Sequence, residues 1–185
     1  WVDNNPQMLE QALSSVAETY AHNVRQGRID QAEADARIAR VTAAADYAAI
    51  RNVDLVIEAV YENLELKQKI FRELEGLMKP EAILASNTSA LDIDAIAAAT
   101  RRPQQVLGLH FFSPAHIMKL LEIVRGAQTE PAVLDAALML GQRMGKVSVV
   151  SGNCDGFIGN RMLKTYVLEA RKMLLEGAYP YQVDA

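Results

Sequence analysis

The order of short apolar runs between residues 54 and 151 most constrains how this chain can fold. Short continuous apolar runs are typical of strands that are covered on both faces. Here they alternate with segments in which apolar residues recur every three or four positions, as on one face of a helix. Strands that alternate with helices predict a mainly parallel α/β sheet. The predicted strands are 54–60, 82–86, 105–111, 119–126 and 146–151.

Helices are predicted before, between and after these strands. Asn5-Pro6 starts the first, because proline at the first helical position loses no hydrogen bond, and Gly27 ends it. Asp30 starts a second helix, and further helices are predicted within 63–79, 91–100, 131–144 and 157–176. A glycine-rich junction, GNCDGFIGN, follows the last strand, and no strand pattern comes after it. We therefore predict a sheet domain at 1–151 and the start of an all-helical domain at 152–185.

Composition excludes several classes of function. The net charge is -4, and the lysines and arginines are scattered, which predicts no nucleic-acid partner. The single cysteine, Cys154, excludes an internal disulfide and any CxxC motif, and no metal is expected. The apolar runs are far shorter than the roughly 18 residues of a membrane span. We expect an intracellular location, in the cytoplasm of a bacterium or in the peroxisome or mitochondrion of a eukaryote.

Polar residues follow several predicted strands, at the sheet edge where open parallel sheets bind ligands. Asp3 follows a short strand, and an acidic residue there in a dinucleotide fold accepts hydrogen bonds from both ribose hydroxyls, which favours NAD. The alternative is an aspartate that forms a turn before Asn-Asn-Pro. The loop G-x-G-x-x-G, which would decide the matter, belongs upstream of Asp3 and is not in the sequence. Residues 86–89, SNTS, fit either a ligand edge or a helix-capping loop.

His110 and Glu122 make a candidate catalytic pair. A lone histidine at a strand end is ordinary, but a carboxylate within KLLEIV is costly to bury unless it finds a partner. If the strands on either side of residues 112–118 fold back beside one another, Glu122 can reach one ring nitrogen of His110. The other nitrogen then faces a substrate, which is the arrangement of a general base with an orienting partner.

Four motifs carry a resemblance to a known family: NLELK (63–67), ASNTSALDI (85–93), GLHFFSPAHIMKLLEIVRG (108–126) and DGFIGNRML (155–163). The chain resembles the L-3-hydroxyacyl-CoA dehydrogenases, and most of all the dehydrogenase part of multifunctional fatty-acid oxidation enzymes. The resemblance implies a Rossmann-like domain that binds NAD. It also implies oxidation of a (3S)-hydroxyacyl-CoA to the 3-ketoacyl-CoA, as in fatty-acid β-oxidation, with hydride transfer to NAD.

The resemblance further implies roles for residues in the matching motifs. His110 would remove the hydroxyl proton, and Glu122 would orient the imidazole, while Phe111 and the phenylalanine after it would wall the reaction crevice. Ser89 and Asn160 would hydrogen-bond the substrate oxygen or the thioester carbonyl. Five residues would line the cofactor: Asp3 on the adenosine ribose, Ala59, Glu62, Lys67 and Asn87.

Three departures from the family shape the expectations. The first strand with its glycine-rich loop is missing, a central strand is lost with it, and only the first helix of the helical domain is present. We therefore expect a chain truncated at both ends, with little or no activity alone. The expected partners are an acyl-CoA thioester and either a second copy of the chain or the rest of a multifunctional chain. The alternatives are a non-catalytic fragment or interaction module, and a different NAD-linked hydroxyacid or sugar-acid dehydrogenase.

Overall fold

The structure, a computed structural model, describes residues 1–184. The chain divides into two units, Trp1–Asn52 and Val53–Ala185, and each is described by itself. In the first unit, Val2 and Ala44 form an isolated parallel bridge. The helices of this unit are α1 (Pro6–Arg25), α2 (Gln31–Ile38) and a short 3-10 turn at Tyr47–Ile50.

The helix ends of the first unit follow from the residues that cap them. The side chain of Asn5 accepts a hydrogen bond from the Gln7 backbone N–H at 3.0 Å, which satisfies a free donor of the first turn of α1. Gly27 has a φ of +66°, the left-handed conformation in which a chain commonly leaves a helix. Asp30 accepts from the Glu33 N–H at 2.7 Å and starts α2. The predicted start of each helix is thus confirmed.

The second unit is built on a five-stranded sheet within the described residues. Its strands are β1 (Leu55–Glu58), β2 (Ile83–Ser86), β3 (Val106–Phe111), β4 (Leu120–Arg125) and β5 (Val147–Gly152). Its helices are α3 (Leu64–Leu77), α4 (Ile93–Ala97), α5 (Pro131–Arg143), α6 (Gly159–Leu175) and α7 (Pro180–Val183), with a 3-10 turn at Pro103–Gln105 before β3.

The strands lie side by side in chain order, β1-β2-β3-β4-β5. Three of the neighbouring pairs are parallel, and β3 and β4 are antiparallel. The antiparallel pair arises because residues 112–119 are too few for the crossover that a parallel pair requires. The predicted mainly parallel α/β sheet is confirmed.

Side chains alternate between the two faces of the sheet, and each face has its own cover. On one face, Leu107 and Leu109 of β3 pack with Leu121 and Ile123 of β4 under α5. On the other face, α4 lies so close to β3 that a Cβ on Gly108 would stand 3.0 Å from the Ile93 side chain. His110 and Glu122 belong to this second face by the same alternation.

A short junction joins the last strand to the final helices. β5 ends at Gly152 and α6 begins at Gly159, both within the unit that starts at Val53. The proposed division into domains at residues 151 and 152 stays a prediction. Among residues 1–184, no helix has the length and apolar character needed to cross a membrane.

Candidate active site

His110 and Glu122 are direct cross-strand partners in the antiparallel register of β3 and β4. Nδ1 of the imidazole lies 2.6 Å from Oε2 of the carboxylate, and 7% and 1% of the two side chains are exposed. A contact this short between an imidazole and a buried carboxylate fixes the plane of the ring. Within residues 1–184 this is the one hydrogen bond that the ring makes, so Nε2 has no protein partner.

The second oxygen of Glu122 holds the start of α6. Oε1 accepts hydrogen bonds from the backbone N–H groups of Ile158 at 3.0 Å and Gly159 at 2.7 Å. These are donors that a helix leaves unpaired at its N-terminus, where the helix dipole also favours a negative charge. Glu122 therefore joins the histidine of β3 to the first turn of α6. Sequence reasoning missed these two partners because backbone amides carry no side-chain signal.

Aromatic rings pack against the imidazole. The centroid of Phe112 lies 4.4 Å from that of His110, and the centroid of Phe157 lies 5.9 Å away. Phe111 packs instead against the core cluster under α5, on the opposite face of the sheet. The expectation that both phenylalanines of the HFF motif wall one crevice is wrong for Phe111, because successive strand residues point to opposite faces. The second aromatic neighbour comes from the junction before α6.

Glu62 gathers donors from the loop that follows β2. Its Oε1 accepts from the Thr88 hydroxyl at 2.6 Å, the Ser89 N–H at 2.9 Å and the Ser89 hydroxyl at 3.3 Å. Burial raises the pKa of Glu62, but the hydrogen bonds from Thr88 and Ser89, together with the charge of Lys67, outweigh it. The pKa of Glu62 therefore lies below its ordinary value, and the group is a carboxylate at neutral pH.

Ser89 and Asn160, the two predicted substrate contacts, lie next to one another. Nδ2 of Asn160 donates to the backbone carbonyl of Ser89 at 3.1 Å. The capping alternative for SNTS is met in part, since the Thr88 hydroxyl accepts the Leu91 N–H at 2.8 Å and closes a turn. The cap of α4 itself is Asp92, which accepts from the first N–H groups of that helix.

Lys67 is almost completely enclosed by protein. Only 1% of its side chain is exposed, and Nζ lies 2.8 Å from Oε1 of Glu58, whose side chain is 2% exposed. The Ser86 hydroxyl donates to the other oxygen of Glu58 at 2.8 Å. Sequence reasoning missed Glu58. The signal that could have found it is a carboxylate inside the apolar run LVIEAV.

Three predicted cofactor residues remain, namely Ala59, Asn87 and Asp3. Ala59 is exposed directly after β1. Asn87 is half-buried after β2, and its Oδ1 accepts the Phe111 N–H at 2.9 Å. In the first unit, Oδ1 of Asp3 accepts the Asn5 N–H at 2.8 Å, which is the geometry of a turn-forming aspartate. One oxygen of Asp3 therefore makes the turn contact that the alternative interpretation expects. The role of Asp3 at a ribose stays a prediction.

Three comparisons with known proteins bear on this site. Residues 1–154 match the family model described as 3-hydroxyacyl-CoA dehydrogenase, NAD binding domain. The peroxisomal bifunctional enzyme of Cavia porcellus is 43% identical over 99% of this chain and 25% of its own length. The peroxisomal fatty acid beta-oxidation multifunctional protein MFP2 of Arabidopsis thaliana is 42% identical over 97% of this chain and 25% of its own length.

Among solved structures, 3-hydroxybutyryl-CoA dehydrogenase from Escherichia coli matches with a TM-score of 0.93 and 34% identity, over 96% of this chain and 38% of that chain. This match confirms the predicted Rossmann-like fold class, and the matched family model agrees with NAD as the predicted cofactor. The chain spans 18% to 25% of the length of the first curated relatives that it matches.

Proposed function

Because the chain belongs to the 3-hydroxyacyl-CoA dehydrogenase family, through its NAD-binding domain, we propose that it contributes to the oxidation of (3S)-hydroxyacyl-CoA to 3-ketoacyl-CoA. The observation that supports this most is the 2.6 Å contact between Nδ1 of His110 and the buried carboxylate of Glu122. That contact leaves Nε2 as the basic atom of the ring. A base with one committed nitrogen and one available nitrogen suits removal of a hydroxyl proton.

In the proposed reaction, Nε2 of His110 accepts the proton of the substrate 3-hydroxyl group as the carbon–oxygen double bond forms. When bound, NAD would supply the acceptor for the hydride that leaves carbon 3. Glu122 stabilises the imidazolium as it appears, since the carboxylate lies in an enclosed site where opposite charges interact strongly. In the direction of reduction the same ring returns the proton to the ketone oxygen.

Ser89 and Asn160 are proposed to hold the substrate oxygen or the thioester carbonyl. Support comes from their mutual contact and from the loop position of Ser89 after the carboxyl end of β2. The Ser89 hydroxyl already lies 3.3 Å from Glu62, which is a long hydrogen bond. A substrate oxygen can therefore compete for this hydroxyl without breaking a strong contact.

The residues present fit a nicotinamide cofactor in part. Ala59 offers a small exposed side chain directly after a parallel strand, which allows a flat ring to approach the backbone. Glu62, with 41% of its side chain exposed, and Asn87 offer polar groups at the same sheet edge. We propose that these three line the cofactor, and the role of Asp3 at a ribose stays a prediction from the sequence. Only 1% of the Lys67 side chain is exposed, and its place in the cofactor site stays a prediction.

The reaction is tested with acetoacetyl-CoA and NADH, by following the loss of nicotinamide absorbance. The assay compares the chain alone with a fusion protein. In this fusion the chain replaces the matching segment of the Cavia porcellus bifunctional enzyme. We expect turnover in the fusion and little or none in the chain alone. No turnover in a folded fusion would favour a non-catalytic interaction module. Turnover of a free hydroxyacid in place of the thioester would favour a different hydroxyacid dehydrogenase.

The proposed partners follow from the relatives. Those named above are bifunctional or multifunctional proteins, so we propose that the dehydrogenase works within a multifunctional chain on an acyl-CoA thioester, or as a homodimer. Their names place them in the peroxisome. A peroxisomal location is therefore the proposal for a eukaryotic source, and the cytoplasm is the proposal for a bacterial one.

A further inference from the structure

The side chain of Asn153 links the segment after β5 to the start of α4. Its Nδ2 donates to Oδ1 of Asp92 at 2.6 Å and to Oδ2 of Asp94 at 2.8 Å. Its Oδ1 accepts the Ile93 N–H at 3.0 Å. Hydrogen bonds to an ionised carboxylate are roughly twice as strong as neutral ones. Asn153 therefore makes a firm connection between two segments that lie 61 residues apart in the chain.

The residues between β5 and α6, 153–158, form a junction with an unusual backbone. The φ angle is +70° at Gly156 and +51° at Phe157. Glycine adopts this left-handed conformation freely, but a bulky residue there is an outlier that persists only where its surroundings hold it. Phe157 is 2% exposed, and its ring packs against that of His110. The conformation of the junction thus bears directly on the candidate base.

Glu122 anchors the downstream end of the junction. Its Oε1 accepts the N–H groups of Ile158 and Gly159, at 3.0 Å and 2.7 Å. Ile158 returns to a right-handed conformation, with a φ of -100° and a ψ of -60°. Successive amides at such a change of hand converge on one point and can bind an anion there. The left-handed backbone of Phe157 therefore aims both amides at the carboxylate.

Asn153 anchors the upstream end. Without it the junction loses its side-chain bonds to α4, and Phe157 can relax to an ordinary backbone conformation that moves the two amides away from Glu122. We propose that Asn153 is a positioning residue: by binding α4 it holds the left-handed junction and keeps both amides on Glu122. The kinetic consequence, a less firmly oriented His110, rests on the proposed function above. The structural consequence does not.

The kinetic test compares Asn153→Ala with the unchanged fusion. We expect kcat/KM for acetoacetyl-CoA to fall about tenfold, the scale of one charge-assisted hydrogen bond. The loss should lie in kcat, because a misplaced base affects the chemical step and not the binding of substrate. The Kd of NADH, measured by fluorescence titration, should change less than about twofold.

Two control variants separate positioning from loss of stability. Asp155 lies in the same junction, and Asp155→Asn breaks its exposed ion pair with Lys164 but should leave kcat unchanged. Val133→Ala opens a small cavity in the core on the opposite face of the sheet, which lowers the thermal midpoint. It should leave kcat unchanged at a temperature where the fusion stays folded. An equal fall of kcat in Val133→Ala and Asn153→Ala would show that only stability matters and overturn the proposal.

A second test needs no turnover and uses the 185-residue chain. The amides of Ile158 and Gly159 donate to Glu122, so their hydrogen exchange reports how firmly the junction is held. We expect Asn153→Ala to speed exchange of both amides roughly tenfold, relative to amides of β3 that report global opening. Asp155→Asn should leave both unchanged.

The amide of Ser89 is an internal control for the same measurement. It donates to Oε1 of Glu62 at 2.9 Å, and within residues 1–184 Asn153 bonds to neither residue. Exchange of this amide should therefore stay the same in Asn153→Ala. Exchange that rises equally at Ser89, Ile158 and Gly159 would show a general loosening, and the positioning role would be wrong.

The two tests separate the failures. If the unchanged fusion does not turn over, the proposed function fails, and exchange of the junction amides alone decides the role of Asn153. If the fusion is active but Asn153→Ala leaves either kcat/KM or the exchange unchanged, the positioning role is wrong and the proposed function stands.

Discussion

Replacing Glu122 by glutamine tests whether the imidazole is oriented by charge or only by shape. The amide keeps an oxygen that can accept the N–H groups of Ile158 and Gly159. Its NH2 group then faces Nδ1 of His110, where two donors cannot pair. The ring can restore a hydrogen bond only by moving its own proton to Nε2, because Nδ1 then becomes an acceptor. That tautomer has no lone pair on Nε2 with which to take a substrate proton.

The cost in stability follows from the three hydrogen bonds that Glu122 accepts. Exchanging a charge-assisted bond to His110 for a neutral one loses about 1 to 2 kcal/mol. The two backbone bonds to the start of α6 each weaken when the acceptor loses its charge, by about 0.5 kcal/mol each. The free energy of unfolding should therefore fall by about 2 to 3 kcal/mol, which leaves a typical domain folded.

Urea unfolding followed by circular dichroism measures the free-energy change, and nitrogen NMR of the imidazole reads the tautomer. Glu169→Gln, at an exposed carboxylate, is the control and should change the free energy of unfolding by less than about 0.5 kcal/mol. In the fusion, Glu122→Gln should abolish turnover. A variant that kept its proton on Nδ1, lost less than about 1 kcal/mol and still turned over would refute an orienting role for the carboxylate.

Three further outcomes are expected. His110→Gln should abolish turnover in the fusion while the affinity for NADH, measured by fluorescence titration, changes little. Gly159→Ala should lower the free energy of unfolding by about 1 to 3 kcal/mol in urea titrations, because a Cβ there would stand 2.8 Å from Cζ of Phe112. The hydrogen bond from Asn153 holds the pKa of Asp92 below its ordinary 3.8, so its stabilising effect is full above that pH and is lost as pH falls through the folded-state value. Asn153→Ala should therefore destabilise at neutral pH and progressively less in acid, as urea titrations at a series of pH values would show.

Much of the fold follows from local sequence signals. Asn5 and Asp30 start the helices they were predicted to start, because a short polar side chain can accept the free amides of a first turn. The closeness of His110 and Glu122 was predictable for a different reason. A carboxylate within an apolar strand must find a donor, and the neighbouring strand supplies one.

The same rule applies to Glu58, a carboxylate within another apolar strand, but it was not used there. The buried ion pair of Glu58 with Lys67 was therefore not predicted. Other features have no local signal at all. Which face of the sheet Phe111 joins depends on the strand register, and a slip of one residue reverses it. The amides that hold Glu122 depend on where α6 begins, which no side chain of the strand records.

Because Glu122 accepts hydrogen bonds from the first amides of α6, the proposed base depends on both the sheet and the helix that follows it. A protease nick between Gly152 and Phe157 would leave every strand of the sheet with its neighbour. The two amides that donate to Oε1 of Glu122 would then belong to a separate polypeptide. The imidazole that contacts the other oxygen would lose its fixed orientation. The two cleaved pieces would therefore hold the proposed base less firmly than the intact chain does, even if each piece stayed folded.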